Sequence, residues 1–393
     1  MATEFAPVTP SVLKWARESV GAGIADAAQR AGVTEDRILL WESGDQEPTV
    51  AKARALAKLY QRPFSVLFLP EPPVHSFATI RDFRRLPGTS DHSWSRPLHK
   101  LFGRAQEQQR VAIELLEDDG VSPESLVPAA STQMSPELAA RNARAALGVS
   151  LNDQFSWKRP EQSFAGWLGA VEELGVFVLR SSDVAPAEMR GFSLTGAVPV
   201  IVVNALDWPR GQVYTLLHEF AHLMLREGGL CDLMEPSVNG AMQIEAWCNA
   251  VAAAALMPAT AFLDNKVLHQ PGVRDWDDDV LLQLSRRWGV SQEAIARRLL
   301  TLNRATPEYY AAKREQFQRI YDELRDDERQ RRRTAPSKGG PPPHRMAIRD
   351  QGRPFVRLVL DAYHRDALSP SSASSLLHLK LKHFPNLERE VGV

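Results

Sequence analysis

Across the first ~70 residues, apolar side chains recur at the three-and-four spacing of a helical face and are broken by turn residues. Leu13, Ala16 and Val20 follow Pro10-Ser11, and Ile24, Ala27, Ala28 and Ala31 form a second stripe ended by Gly32. Thr34 opens a third segment carrying Ile38, Leu39 and Trp41 and closed by Gly44; Val50 to Tyr60 gives a fourth, and Phe64 to Leu69 a short fifth. Further on, Arg96 to Leu116 reads as one amphipathic helix and Pro136 to Leu147 as another. After a helix that ends at Leu174-Gly175, the pattern changes to four consecutive apolar residues, Val176 to Leu179, as in a strand. Met189 to Leu194 and Val198 to Val203, separated by Thr-Gly-Ala, predict a hairpin. Helical spacing returns through Val213 to Leu225, Ile244 to Met257, Asp279 to Leu302 and Pro307 to Arg333.

These elements predict a mainly α chain with a small β-sheet, an α+β class. The expected division is a five-helix bundle over 1–72, a helical connector over 73–132 and a mixed α and β core over 133–270. A helical subdomain over 271–333, a Pro/Gly-rich linker over 334–351 and a small helical tail over 352–393 complete it. Within 271–333, LSRRWGVSQEAIARRLLTLN has helix-turn-helix spacing, but its closeness to the central core favours a covering role.

Composition narrows the function classes. With 47 Lys+Arg against 48 Asp+Glu, no global field draws the chain onto nucleic acid or anionic lipid, so any such contact is local. The two cysteines, Cys231 and Cys248, exclude a disulfide framework and a CxxC pair and fit a reducing compartment. The most apolar stretch, Ala246 to Met257, is shorter than the ~20 residues of a membrane span, and the N-terminus has no signal-peptide core. The expected location is cytoplasmic, without membrane contact.

The second and third helices, joined by a glycine-containing turn inside a bundle, have helix-turn-helix form. The stretch ADAAQRAGVTEDRILLWESGDQEPT resembles the XRE-type, repressor-like family over about 60 residues. Its expected recognition helix begins with Glu35 and Asp36, and Arg37 is the candidate DNA contact. That balance favours a protein-binding or scaffold role over DNA reading.

The chemistry concentrates in VYTLLHEFAHLML. His218 and His222, at i and i+4, project from one helical face with Glu219 beside them, so two imidazoles could share a metal ion while a carboxylate serves as base. Leu216, Leu217, Phe220, Leu223 and Leu225 mark the helix as buried, where such residues are costly unless paired or metal-bound. Imidazole and carboxylate ligands suit Zn2+, one per chain. Glu245, 23 residues beyond His222, is the best third ligand, with the loop carboxylate Glu235 as runner-up. Asn249, one turn after Glu245, could accept the second ring N–H of a ligand histidine. Tyr214 is read as packing rather than as an oxyanion stabiliser, and Trp41 and Trp247 as core. The edge of the strand Val198 to Val203 is expected to hold an extended substrate. The other histidines show no ligand spacing.

Taken together, PVIVVN, YTLLHEFAHLML and IEAWCNAVAAAALMP resemble the ImmA/IrrE family of bacterial metallopeptidases, here behind a repressor-like helix-turn-helix. The resemblance spans most of residues 1–310. It implies a zincin-like core, metal-site roles for His218, His222, Glu219 and Glu245, and limited proteolysis of a regulatory protein such as a transcriptional repressor. A transcriptional regulator or antitoxin that binds DNA or a partner through residues 1–72, its metal a sensor or scaffold, is the alternative; an intact Glu219 argues against it.

Overall fold

The computed structural model describes residues 5–60, 62, 64–72, 95–226, 238–334 and 340–393. The described residues divide into two compact units, those up to Gln106 and those from Glu107 on.

In the first unit α1 (Pro10–Glu18), α2 (Ile24–Ala31), α3 (Glu35–Ser43) and α4 (Val50–Leu59) precede a 3-10 helix, Phe64–Phe68. The fifth predicted helix is thus a single tight turn rather than an α-helix, the form in which short i→i+3 segments are usually found. Pro10 occupies the first turn of α1, where its missing N–H costs nothing. Gly32 (φ +63°) and Gly44 (φ +87°) end α2 and α3 in the left-handed region that glycine enters without strain. Leu13, Ile38, Trp41, Leu56, Tyr60 and Leu67 fill the core between them.

A long helix, α5 (Arg96–Asp118), begins in the first unit and ends in the second. There follow α6 (Pro136–Ala146), α7 (Leu151–Ser156), α8 (Pro160–Glu173), β1 (Phe177–Ser181), β2 (Gly191–Leu194), β3 (Val200–Asn204), α9 (Pro209–Met224), α10 (Val238–Leu256) and the short α11 (Ala259–Leu263). The α+β expectation holds. The sheet order is β1-β3-β2, with β3 parallel to β1 and antiparallel to β2.

That order corrects the expected substrate edge. The strand predicted at Val198 to Val203 is β3, which lies in the middle, paired on both sides, with all five residues buried. A continuous apolar run is the signature of a strand covered on both faces, not of an edge. The edge strand of the hairpin is β2.

Beyond the sheet, α12 (Asp278–Trp288) and α13 (Gln292–Thr301) meet at Gly289, again left-handed (φ +70°). Leu281, Leu284, Trp288, Ile295 and Leu299 bury their apolar faces in the same core as α8 to α10. Arg298, 2% exposed, pairs with Glu137 of α6 and donates from Nε to the Met257 carbonyl at 3.0 Å. This helix pair is therefore tied into the core.

The charged α14 (Pro307–Thr334) is followed by α15 (Pro343–Gln351), α16 (Arg353–His364), α17 (Pro370–Leu376) and α18 (Phe384–Val391). The linker expected over 334–351 is corrected at its end. Pro343 sits in the first turn of α15, and the buried Ala347 and Gln351 give that helix a packed face. Gly352 (φ +80°) lies so close to β1 that a Cβ there would fall 2.7 Å from the Val178 carbonyl oxygen. Phe355 meets Phe177 edge-on, ring centres 6.2 Å apart, and the Glu172 carboxylate accepts the Arg353 backbone N–H at 3.2 Å. Among the described residues no helix is long and apolar enough to cross a membrane.

Candidate metal centre

The site is made where α9 crosses α10. Nearly every residue of α9 from Gln212 to Met224 is buried, including His218 (1% exposed) and Glu219 (5%). The facing stretch of α10 is rich in alanine, and its small side chains let the two helices approach closely. Its Glu245 carboxylate reaches both imidazoles. Oε2 lies 3.3 Å from His218 Nε2, Oε1 lies 2.9 Å from His222 Nε2, and the two Nε2 atoms are 3.1 Å apart.

These separations test the fit of a metal. Ligand atoms about 2.0–2.1 Å from a tetrahedral zinc ion stand roughly 3.3 Å from one another. The spacings of 2.9–3.3 Å fall close to that value, and the three residues form a candidate ligand set whose donor atoms all lie within 4.8 Å. Two imidazole nitrogens and one carboxylate oxygen are also the donors zinc prefers, with a coordination position left open. The residues therefore fit a divalent cation of the zinc type.

Electrostatics lead the same way. Burial raises the pKa of the Glu245 carboxyl, but hydrogen bonds and charge from His218 and His222 outweigh it and hold the group below the usual carboxylate range. Burial opposes a charge on His222, yet the neighbouring Cys248 thiol and Glu245 carboxylate outweigh it and raise its pKa. A pocket that buries Glu219 and leaves the Glu245 side chain only 12% exposed calls for positive charge.

Glu219 is held from a second direction. The Ser193 hydroxyl on β2 donates to its Oε2 at 3.1 Å. Gly191, two residues earlier, lets β2 settle on α9: a Cβ there would come 2.4 Å from Thr215 Cγ2, 2.9 Å from the Val202 carbonyl oxygen and 3.3 Å from Glu219 Cγ. Because Asn204 donates its N–H to the Arg190 carbonyl, the antiparallel alternation turns the main-chain groups of Gly191 and Ser193 away from β3. Among the described residues no strand pairs with that outer edge.

Asn249 takes its hydrogen bonds from Tyr214, whose hydroxyl donates to the Asn249 side-chain oxygen at 3.0 Å and to its backbone carbonyl at 3.1 Å. The Tyr214 ring is stacked over His218 at 6.5 Å between centres, so it bears on the site through packing. Glu235, the runner-up ligand, lies outside the described residues. Arg37 is exposed on α3, in the other unit. Trp41 and Trp247 are core residues, the latter donating its ring N–H to the Met134 carbonyl at 2.8 Å. Sequence reasoning missed Ser193 and Gly191 as neighbours of Glu219, and Cys248, fully buried one turn after Glu245, as a neighbour of His222. Only the spacing of Cys248 from Glu245 could have signalled its place; nothing local marks the other two.

Neither curated proteins nor solved structures gave a match to the chain. Family models did. Residues 171–300, from the end of α8 into α13, match the IrrE N-terminal-like domain, Peptidase_M78, and residues 13–67 match a helix-turn-helix domain.

Proposed function

We propose that this chain is a zinc-dependent endopeptidase of the ImmA/IrrE type that hydrolyses a peptide bond in a regulatory protein such as a transcriptional repressor. In this reading His218, His222 and Glu245 hold one zinc ion and Glu219 is the catalytic base. The observation that carries it is the convergence of three ligand atoms at 2.9–3.3 Å beside a carboxylate on the same helix that is itself oriented by Ser193.

A zinc ion held by His218, His222 and Glu245 would supply Lewis acidity and make a water beside Glu219 more acidic. Glu219 takes the proton from the attacking water as its oxygen bonds to the scissile carbonyl carbon. The same carboxyl then gives that proton to the leaving nitrogen as the C–N bond breaks. The outward main-chain groups of Gly191 and Ser193 on β2 provide donors and acceptors for an extended peptide, placed beside Glu219 by the packing of β2 on α9. Tyr214 keeps Asn249 and the neighbouring turn of α10 in register with α9.

The helix-turn-helix match supports a second reading, a regulator that binds DNA or a partner and uses the metal as a sensor. The buried Glu219, on the helix that carries both histidines and held by the Ser193 hydroxyl, favours the enzyme. Co-expression with candidate repressors encoded nearby separates the two. Cleavage by the wild type and not by Glu219→Gln is expected, whereas equal effects of both proteins on those repressors without cleavage would support the regulator.

A further inference from the structure

The face of α3 that a helix-turn-helix unit presents outward has the wrong charge for nucleic acid and the right character for something else. Asp36, Leu39, Leu40 and Ser43 stand at helical spacing on one side of α3, and Glu35 lies one turn before Leu39. Leu39 is 48% exposed. Glu35 and Asp36 stand exposed at the start of the helix, and Asp45 and Glu47 are exposed in the turn that follows it. Arg37 is the one basic residue in α3.

Several other bases of this unit have internal work, while Lys14, Arg30 and Lys58 stand exposed on other helices. Arg17 pairs with Glu42 at 2.7 Å, and the Lys52 ammonium donates to the Ala31 and Gly32 carbonyls at the end of α2. The guanidinium groups of Arg54 and Arg62 lie over the Phe64 and Trp15 rings at 4.9 Å. A duplex is gripped through many phosphate contacts, and the N-terminal end of a recognition helix must approach it. Here that end carries two carboxylates.

We propose that the exposed face of α3 and the turn after it form a docking surface for a basic segment of a partner protein that presents an apolar side chain. Leu39 provides the desolvated centre, and Glu35, Asp36, Asp45 and Glu47 the acidic rim that attracts Lys and Arg. The helix-turn-helix match supplies an independent reason to regard this face as the presented one. The surface belongs to the first unit and the metal centre to the second, and the proposal stands whatever reaction occurs there.

Fluorescence anisotropy on the full chain tests it, at physiological ionic strength, with two labelled probes. One is an amphipathic peptide of about 20 residues with a leucine stripe flanked by Lys and Arg; the other is a mixed-sequence DNA duplex of about 24 base pairs. The wild type is expected to bind the peptide and not the duplex. Leu39→Ala should weaken the peptide roughly tenfold, and Glu35→Gln with Asp36→Asn should weaken it by a similar factor and flatten its salt dependence. All three positions are exposed, and unchanged melting curves confirm that the variants fold. Duplex binding lost in Arg37→Ala, failure to bind the peptide, or peptide binding indifferent to the α3 substitutions would each overturn the proposal.

Discussion

The Ser193 hydroxyl on β2 donates to the Glu219 carboxylate on α9 across 3.1 Å, joining the outer strand of the sheet to the helix that carries both histidines. A neutral donor to a carboxylate fixes its rotamer and leaves its charge intact. Ser193→Ala is therefore expected to lower kcat by about tenfold while leaving metal content unchanged. Cleavage kinetics beside elemental analysis check this; loss of metal in the variant would show that Ser193 acts on the ligands instead.

Gly191 sits where β2 meets α9 too closely for a side chain, with Thr215 Cγ2 and the Val202 carbonyl in the way of a Cβ. Gly191→Ala should destabilise the larger unit by about 1–3 kcal/mol through overpacking, and lower activity as the strand lifts from Glu219. Urea denaturation gives the first quantity, and an unchanged midpoint would refute the close packing.

Much of this was legible in the sequence, and the boundary of legibility is physical. HEFAH and Glu245 were readable because helical period projects i and i+4 to one side, and an apolar surround makes paired polar residues informative. The helix positions of α5, α6 and α14 followed from the same period. Ser193 and Gly191 were not readable, because their meaning lies in which strand the chain lays across α9, a long-range relationship that a four-residue strand does not encode. The hairpin of β2 and β3 was visible, but its order in the sheet depended on β1 arriving in parallel from the other side. The helix at Pro343 was obscured by the prolines that begin it.

Burial raises the pKa of the Glu172 carboxyl to about 7, against partial relief from the Arg353 N–H and the charges of Arg353 and Arg357. The folded state thus resists ionising a group that titrates near 4.5 when unfolded. Its contribution is fully present below that lower value and is lost as pH rises through about 7, a change on the order of 3 kcal/mol. Glu172→Gln should remove this dependence and leave the protein more stable than wild type above neutrality. Unfolding curves across this pH range measure it; equal slopes for the two proteins would contradict the assignment.

In the smaller unit Arg17 and Glu42 form a pair at 2.7 Å with side chains only 10% and 5% exposed. Removing one partner strands a buried charge, so Arg17→Met should cost about 3–5 kcal/mol, and adding Glu42→Leu should restore much of the loss. A double-mutant cycle by thermal denaturation reads the difference, and additive losses would rule the coupling out.

The most direct measurement is the metal content of the purified full chain, taken for the wild type and for His218→Ala, Glu245→Ala and Glu219→Gln. One zinc per chain is expected in the wild type and in Glu219→Gln, and none in the two ligand variants. A wild type that takes up no divalent metal, or a Glu245→Ala that binds zinc as tightly as wild type, would contradict the proposed centre.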